Sequence, residues 1–319
     1  MPRSGPTFGD QLVGMLAVAY IRATLLVPLS WARAITVFLG RLALRAVPRL
    51  HRVGMENLDL AYGDTLSRAE KARILRGAMD NMAIVAAEFS RLPLLGRDGP
   101  GACVEVRGAE NVMLDRPALF ISGHISNWEL MAASVPRFGI NMSIVVRPLN
   151  PPRLNAVVDA IRRAASSETM PKEDAGTTLL RLLKEGRVVG LLADQAPREN
   201  AVPVTFFGKP CWATIAPVMI AVRAKVPVQP VSMLRKPDGG YIIEALPPIE
   251  MVRTGDLRRD LVENTQRCQD VIESLVRAHP EQWLWFHRRW KSRERLEAEW
   301  NARMQRDKHA NNAASPQES

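Results

Sequence analysis

The stretch ALFISGHISNWELMAA, residues 118–133, predicts a strand, a turn and a helix in immediate succession. ALFISG is a short apolar run that ends in glycine, which is typical of a buried strand. SNWE, residues 126–129, has the S-x-x-E pattern of a capping box, so we expect the helix to begin near Ser126. His124 then lies on the turn at the carboxyl end of the strand, where open α/β sheets place their functional sites.

Glu129 follows His124 by five residues, and this spacing limits what the pair can do. Residues five apart on one helix point about 140° away from each other, so the two side chains meet only if His124 precedes the helix. A histidine held by a carboxylate suits removal of a proton from a hydroxyl that attacks an activated carbonyl. The chain has no G-x-S-x-G motif, so we expect that hydroxyl to belong to the substrate. The alternative is that Glu129 only caps its helix and His124 is an ordinary turn residue.

Strand-like and helix-like segments alternate along most of the chain. The runs NMSIVVRP, RVVGLLAD, PVQPVSMLR and YIIEALPP are typical of strands in a buried sheet. Helical patterns fill residues 54–95, 153–165 and 174–186, and a last long helix begins at Thr254. This alternation predicts an α/β fold in which helices flank a central mixed sheet.

The formal net charge of +10 is concentrated at the two ends of the chain. From Met1 to Val53 there are seven arginines against Asp10 alone, and residues 283–308 contain eight Lys or Arg against four acidic residues. The rest of the chain is close to neutral. A basic N-terminal segment that is also strongly apolar indicates contact with anionic lipid rather than with nucleic acid.

Residues 11–40 form an apolar run that Arg22 and Arg33 interrupt. These two arginines are eleven residues apart, about three helical turns, and Arg41 and Arg45 fall on roughly the same side. A long apolar surface with one basic stripe is typical of a helix that lies in the membrane interface. We therefore expect this segment to associate with the membrane through its guanidinium groups and its apolar face.

Two alternatives remain for the same segment. It could span the membrane as a short helix with snorkelling arginines, or it could pack as an amphipathic helix on the protein's own core. In either case we expect Pro28 to kink the helix. Asp10 and the length of the apolar stretch argue against a secretory signal peptide.

Cys103, Cys211 and Cys268 are widely spaced, and no two of them form a C-x-x-C pair. This pattern offers neither a disulfide framework nor a zinc site. We expect the cysteines to be small buried residues in a reducing, cytoplasmic environment. We also expect the protein to use no metal and no organic cofactor.

The segment WLWFHRRWKSR, residues 283–293, interleaves aromatic and basic side chains. Such a mixture suits the lipid headgroup layer or the docking of an acidic carrier protein. His287 in this segment is a second candidate for the catalytic histidine. It ranks below His124 because no carboxylate lies at a workable spacing from it.

Six blocks of the sequence, in the same order, resemble the bacterial lipid A biosynthesis acyltransferases, the late lauroyl and myristoyl transferases of lipopolysaccharide assembly. The blocks are NLDLAYGD, GAENVMLDRPALFISGHISNWELMAA, VVRPLNPPRLNAVVDAIRR, GTTLLRLLKEGRVVGLLADQ, VTFFGKPCWAT and HPEQWLWFHRRWKSR. The resemblance runs from about Leu12 to Arg293. It implies a glycerolipid-acyltransferase-like fold with an N-terminal membrane-associated helical segment. It also implies transfer of a fatty acyl chain from an acyl carrier protein thioester to a hydroxyl of a lipid A precursor.

The resemblance further implies roles for single residues. His124 and Glu129 fall on the family's catalytic H-x4-D/E pair, the first as general base and the second as its orienter. Arg162 in DAIRR and Asp194 in LLADQ fall on residues that the family uses at its site, and Arg147 in VVRP matches a recurrent block. We expect these three residues to contact the substrate, with Arg162 suited to a phosphate.

The implied organisation has three parts: a membrane-associating helical segment (residues 1–53), an acyltransferase domain (54–304) and a disordered tail (305–319). The enzyme is expected at the inner, cytoplasmic membrane with its active site facing the cytoplasm. The same motifs occur in enzymes that acylate phosphatidylinositol mannosides, so that acceptor, another glycolipid or a lysophospholipid is the alternative. A non-catalytic peripheral membrane-binding protein with the same fold is the alternative of another class.

Overall fold

A seven-stranded mixed sheet forms the centre of the molecule in a computed structural model. The structure describes residues 7–96, 104–112, 116–146, 148–165, 168–171, 175–302 and 305. The strands are β1 (Val104–Arg107), β2 (Leu119–Ser122), β3 (Met142–Val146), β4 (Glu168–Pro171), β5 (Val188–Leu192), β6 (Ala201–Phe206), β7 (Lys209–Thr214), β8 (Val228–Arg235) and β9 (Tyr241–Ala245). The sheet order is β1-β9-β8-β2-β5-β3-β4, and β6 and β7 form a separate antiparallel hairpin.

Helices cover both faces of this sheet, which confirms the predicted α/β fold. They are α1 (Phe8–Leu25), α2 (Leu29–Ala46), α3 (Pro48–Tyr62), α4 (Arg68–Phe89), α5 (Leu92–Leu95), α6 (Trp128–Ser134), α7 (Pro152–Ala164), α8 (Ala175–Lys184), α9 (Ala216–Ala224) and α10 (Leu257–Ala278). A further helix covers residues 294–302. Of the predicted disordered tail, all but the first residue lies outside the described part of the chain.

Strand β2 lies in the middle of the sheet, between β5 and β8, and is parallel to both. Its side chains alternate between the two faces, as a strand requires. Leu119 and Ile121 pack in the apolar cluster that includes α8 and α9, and Phe120 packs in the cluster that includes α6. The whole strand is buried, which explains why its sequence is a continuous apolar run.

The N-terminal segment forms two helices where the sequence predicts one kinked helix. Pro28 lies at the break, as the N-cap of α2, because its ring prevents an unbroken helix through this point. The predicted basic stripe is also wrong in part. Arg33 pairs with Glu88 and Arg41 pairs with Asp80, so both guanidinium groups bind carboxylates of α4 rather than facing outward together.

The outward surface of α2 is apolar instead. Trp31, Ile35, Phe38, Leu39 and Leu42 are all substantially exposed and recur at the spacing of one helical stripe. We call these five residues the α2 apolar stripe. None of the helices in the described part of the chain combines the length and the apolar character that a membrane-spanning segment requires.

The N-terminal helices are packed on the rest of the protein. Helix α3 runs without interruption through the predicted domain boundary after residue 53, and Val53 and Gly54 are both buried. Cys211 and Cys268 are buried free thiols, as predicted, and Cys103 lies outside the described residues. Thr24 of α1 makes a buried hydrogen bond with Ser90, just beyond α4.

Gly14 is the point at which α1 touches the start of α7. A Cβ atom added there would lie 2.3 Å from Cγ of Pro151, so only glycine permits this approach. Because α7 carries Arg162, the packing of α1 bears on one wall of the candidate site. A side chain at Gly14 therefore has to push α1 away from α7.

We predict that Gly14→Ala destabilises the protein by about 1–3 kcal/mol, the usual cost of overpacking a rigid contact. Helix propensity alone favours the change, so a loss of stability isolates the clash with Pro151. Gly9→Ala in the same helix is the control, because its added Cβ meets only Thr7 Oγ1 at 3.8 Å. The control should be neutral or stabilising by about 0.5 kcal/mol in thermal or urea unfolding. Equal melting temperatures for the two variants would contradict the proposed contact.

Candidate active site

The turn between β2 and α6, residues 123–127, carries the candidate site, and we call it the catalytic turn. It follows the carboxyl end of β2, beside the carboxyl end of β5, because Ser122 is paired with Leu192 in the parallel register. His124 lies two residues beyond the first strand and Asp194 two residues beyond the second. Parallel pairing therefore brings together two residues that are seventy positions apart in the sequence.

Asp194 holds His124 through its two carboxylate oxygens and is itself held by a tryptophan. One oxygen, Oδ1, lies 2.7 Å from Nδ1 of the imidazole. The other, Oδ2, accepts the backbone N–H of His124 at 2.7 Å and the indole N–H of Trp283 at 2.8 Å. The carboxylate is fully buried, and the imidazole is largely buried. With Asp194 ionised, Nδ1 carries the hydrogen and Nε2 carries the free lone pair.

The charges of this pair stabilise each other. Burial by itself lowers the pKa of His124, but the charge and hydrogen bond of Asp194, with a contribution from Glu129, more than offset it, and the pKa is raised. Burial by itself raises the pKa of Asp194, and the charge and hydrogen bonds of His124 bring it well below its usual range. The carboxylate stays ionised at neutral pH. The site thus favours a proton on the imidazole more than water does, which is what a general base needs.

The predicted contact between Glu129 and His124 is wrong. Glu129 binds Arg162 of α7 through two parallel hydrogen bonds, from Nε to Oε2 at 3.0 Å and from NH2 to Oε1 at 2.6 Å. Its charge still acts on His124 at longer range. The residue that orients the ring is Asp194, which the resemblance marked as functional without giving it this role.

The helix begins later than the capping-box pattern predicts, which explains the error. Ser126 has φ 51°, in the left-handed region, so it does not cap the helix. Asn127 is the N-cap, and its side-chain oxygen accepts the N–H of Leu130 at 2.9 Å. Glu129 then lies in the first turn of α6, and Arg162 on α7 binds it.

The three predicted substrate contacts, Arg162, Asp194 and Arg147, have different surroundings. The two guanidinium nitrogens of Arg162 that form the bidentate pair are occupied by Glu129, so a bidentate contact with phosphate would have to displace that carboxylate. Asp194 is enclosed behind the imidazole and contacts histidine rather than the open cavity. Arg147 lies outside the described residues.

The aromatic side chains of the segment near the C-terminus are buried or half-buried, contrary to the prediction of a surface role, and only Arg288, Lys291 and Ser292 of residues 283–293 are exposed. Trp283 and Trp285 are fully buried, and so is the guanidinium-bearing Arg289. Trp283 also forms a β-bridge with Ile125, so this segment supports the catalytic turn directly. His287 donates from Nδ1 to the carbonyl of Leu284 at 2.9 Å, and burial lowers its pKa.

A cavity of about 200 Å³ opens beside His124. Its polar lining consists of Ser122, His124, Glu129 and Arg162. The rest of the wall is apolar and comes from the sheet, from α6 and from the residue just after α6, including Phe120, Met131, Val135, Met142, Ile144 and Val231. A cavity of this kind suits an alkyl chain whose reacting end lies at the histidine.

Two residues that the sequence analysis missed lie next to the His124 ring. The Trp128 ring packs edge-on against the imidazole with ring centres 4.9 Å apart. Gln195 places its side-chain nitrogen 3.4 Å from Nε2 of His124. Gln195 directly follows Asp194, so its position after the end of β5 is the signal that could have identified it.

Comparison with known proteins identifies the family of this chain. The family described as bacterial lipid A biosynthesis acyltransferase matches residues 10–292. The chain belongs to this family. It is an acyltransferase, and acyl transfer onto a lipid acceptor is its activity. The resemblance carried by the six sequence blocks is confirmed.

Two individual proteins show how far the similarity extends. The lipid A biosynthesis lauroyltransferase of Escherichia coli K12 is 25% identical over 264 residues, which cover 80% of this chain and 83% of that enzyme. The crystal structure of the 1-acyl-sn-glycerophosphate acyltransferase from Thermotoga maritima aligns with 78% of this acyltransferase and 98% of that chain. Its identity is 16% and the TM-score is 0.35.

We predict that Asp194→Asn lowers the acyl-transfer rate by about 10⁴-fold, the scale of the loss when the aspartate of a serine-protease triad becomes asparagine. The amide also removes the charge that raises the pKa of His124, so the acid limb of the pH–rate profile should move to lower pH. In the wild type, the rate should rise as pH increases through a midpoint above 6.5, because only the neutral imidazole accepts a proton.

Glu129→Gln is the comparison variant for this experiment. It leaves the Nδ1 contact intact and removes a more distant charge, together with one of the two hydrogen bonds from Arg162, so the acid limb should move less than in Asp194→Asn. Both profiles are measured as kcat/KM against pH in one lipid system. If the acid limb moves further in Glu129→Gln than in Asp194→Asn, then Glu129 and not Asp194 orients His124.

Proposed function

We propose that the enzyme transfers a fatty acyl chain from an acyl carrier protein thioester to a hydroxyl of a lipid A precursor, with His124 as the general base. One observation supports this most directly: in a member of this family, Nδ1 of His124 is held by a buried carboxylate at 2.7 Å beside a largely apolar cavity. The E. coli relative is a lauroyltransferase of lipid A biosynthesis. A carrier protein donor also fits the chain's net charge of +10, since such carriers are acidic.

The reaction begins when the acceptor hydroxyl hydrogen-bonds to Nε2 of His124. As the hydroxyl oxygen attacks the thioester carbonyl carbon, its proton passes to Nε2 and a tetrahedral oxyanion forms. Asp194 stabilises the imidazolium through its charge and through Nδ1–H. The C–S bond then breaks, and the imidazolium returns the proton to the leaving thiolate. The net result is one ester formed and one thioester lost, with no proton gained or lost by the enzyme.

The cavity supplies the binding side of this mechanism. An alkyl chain within the apolar wall places its thioester near the polar end, where Ser122, His124, Glu129 and Arg162 lie. Burial of each methylene contributes about 0.8 kcal/mol, so the chain itself anchors the donor. The Glu129–Arg162 pair joins α6 to α7 at this end, and we propose that it keeps the opening in shape rather than binding phosphate as a free arginine.

We predict that His124→Ala lowers acyl transfer by about 10²–10⁴-fold. Because the variant also removes the ring partner of the buried Asp194, its melting temperature should fall, so rates are measured well below it and referred to folded protein. The assay offers acyl carrier protein and CoA thioesters in turn. The acceptors are a lipid A precursor, a phosphatidylinositol mannoside and a lysophospholipid. The proposal expects the carrier protein donor and the lipid A precursor to give the highest kcat/KM.

Three results would contradict this proposal, and they are distinct. A folded His124→Ala variant with wild-type turnover would remove the general-base role and point to His287. A wild type that prefers a lysophospholipid or the mannoside would change the acceptor but keep the mechanism. Absence of transfer to every acceptor, with normal vesicle binding, would favour the non-catalytic alternative.

We further propose that the α2 apolar stripe docks the enzyme on the inner membrane, with its active site on the cytoplasmic side. Trp31 is 66% exposed and Phe38 is 68% exposed, although both are large apolar residues. Exposed patches of this kind mark interaction surfaces, and a bilayer also presents the lipid acceptor. Helix α1 lies beside α2 and contacts the start of α7, so the stripe is linked through packed helices to a wall of the cavity.

We predict that the double variant Trp31→Glu/Phe38→Glu loses at least about a hundredfold in affinity for anionic vesicles, since each aromatic contributes about 1.5–3 kcal/mol on burial. Its melting temperature should not fall, because both side chains are exposed. Leu257→Glu on α10 is the control, being 61% exposed but remote in sequence from the stripe. Cosedimentation that is equal for the double variant and the control would show that another surface binds the membrane.

Point variants are better suited to this test than removal of residues 1–40. Truncation also deletes Arg33, which is paired with the buried Glu88, and Thr24, which is bonded to Ser90. It would therefore leave a buried carboxylate without one of its cationic partners. A loss of membrane binding could then follow from damage to the fold.

A further inference from the structure

Glu88, in the last turn of α4, is a fully buried carboxylate that the proton transfer at His124 does not use. Its two oxygens accept hydrogen bonds from different parts of the molecule. Oε1 accepts from Nε and NH2 of Arg33 at 2.7 and 2.5 Å, and NH1 of Arg235 lies 3.6 Å away. Oε2 accepts from Nδ2 of Asn127 at 2.6 Å and from the Tyr241 hydroxyl at 2.5 Å.

A buried charge with this set of partners is costly to disturb. Desolvation of a carboxylate is offset only when its oxygens are hydrogen-bonded and a cation is near, and Glu88 meets both conditions. Four donors converge on two acceptor atoms. No uncharged side chain of similar size offers two acceptor oxygens in the same geometry, so the identity of this residue is constrained by its surroundings.

Asn127 connects this carboxylate to the catalytic turn. The Asn127 oxygen caps α6 by accepting from Leu130, and the Asn127 nitrogen donates to Glu88, so the amide is fixed at both ends. The residue before it is Ser126, in the left-handed region, and the residue after it is Trp128, which packs on the His124 ring. A rotation of Asn127 would therefore move the start of α6 against His124.

A second side chain of α4 supports the same turn. Asn81 donates to the carbonyls of Ser126 and Gln282, both at 3.2 Å. It lies seven residues before Glu88, two turns away on the same side of the helix. The backbone N–H of Ser126 donates to the Gln282 carbonyl at 2.7 Å. Helix α4 is therefore the support on which the strained turn rests.

We propose that Glu88 is a positioning residue for catalysis, which acts through Asn127 to fix the catalytic turn and takes its counter-ion, Arg33, from the membrane-docking helix α2. This inference rests on the proposed function, since it assigns Glu88 a part in the reaction of His124. It makes the N-terminal helices part of the catalytic unit as well as the membrane contact. Glu88 touches no reacting atom, so its effect is on the geometry of the turn.

The chain offers a matched control. Asp80 is also on α4 and also pairs with an arginine of α2, accepting from Nε and NH2 of Arg41 at 2.8 and 2.7 Å. That pair is on the surface. Glu88→Gln and Asp80→Asn each replace a carboxylate by its amide and each weaken one α2–α4 ion pair, but only the first reaches Asn127.

We predict that Glu88→Gln lowers kcat by about 10–100-fold, the scale that a misplaced catalytic group costs, with KM for the thioester changed by less than about threefold. The new amide has one acceptor oxygen and one NH2 group, so it opposes either Arg33 or Asn127 with a donor. Asp80→Asn should keep kcat within about twofold of the wild type. Rates are measured well below the melting temperature and referred to folded protein.

A compensating pair of substitutions separates positioning from general damage. Asn127→Asp keeps an oxygen to cap α6 but places a second carboxylate 2.6 Å from Glu88, so it should lower kcat as well. In the double variant Glu88→Gln/Asn127→Asp, the amide can donate to the new carboxylate, and the hydrogen bond returns with its direction reversed. We expect the double variant to recover at least tenfold in kcat over Asn127→Asp. If Glu88→Gln alone does not fold, the kcat of the double variant relative to that of Asn127→Asp tests the proposal.

The inference is overturned if folded Glu88→Gln retains the kcat of Asp80→Asn, or if the double variant is no faster than Asn127→Asp. His124→Ala is included in the same assay to test the proposed function separately. If His124→Ala is inactive while Glu88→Gln has wild-type turnover, only the role of Glu88 is lost. If His124→Ala is as active as the wild type, the proposed mechanism fails and the positioning role fails with it.

Discussion

The three hydrogen bonds that Asp194 accepts are the constraint on which the site depends. A fully buried carboxylate needs donors and a positive partner, and here the donors are the backbone and ring of His124 and the indole of Trp283. These donors come from two segments that are far apart in the sequence, the catalytic turn and the segment around Trp283. The same bonds that satisfy the buried charge therefore fix the tautomer of the histidine and the path of the chain on both sides of it.

The catalytic turn is held from behind as well as from the side. Ser126 adopts a left-handed conformation that is unfavourable for a residue with a side chain, and such a conformation persists only where its surroundings impose it. Here Gln282, Asn81 and the Asn127–Glu88 bond surround it. Polar groups on α4 and on the segment before Trp283 therefore hold this turn in place, as apolar packing holds the sheet in place.

The charged groups near the cavity are nearly all committed to one another. Glu129 with Arg162, Asp194 with His124, and Glu88 with Arg33 each form a pair of which at least one member is buried or nearly so. This pairing leaves Nε2 of His124 as the basic atom at the polar end of a largely apolar cavity, with the Gln195 amide nitrogen 3.4 Å away. Such a space suits a long alkyl chain. It also holds little water that could compete with the neutral imidazole for the proton of the acceptor hydroxyl.

The sequence alone determined the class of fold and the location of the histidine that we propose as the base. Apolar runs and helical periodicity depend on local chemistry, so the alternation of strands and helices and the position of His124 after β2 could be predicted. The break at Pro28 was also visible, although the two separate helices were not. Family resemblance supplied the reaction, because six ordered blocks carry more information than one H-x4-E spacing.

Only the tertiary structure decided which carboxylate serves His124. Glu129 is near it in sequence, and Asp194 is near it in space, because β2 and β5 are parallel neighbours whose ends coincide at Ser122 and Leu192. Strand order is set by the packing of the whole sheet, so a spacing along the chain does not reveal it. The burial of Trp283 could not be predicted for the same reason. Its neighbours in the sequence are aromatic and basic residues, which resemble a surface motif. Its burial follows from contacts with residues far away in the sequence, which no local pattern encodes.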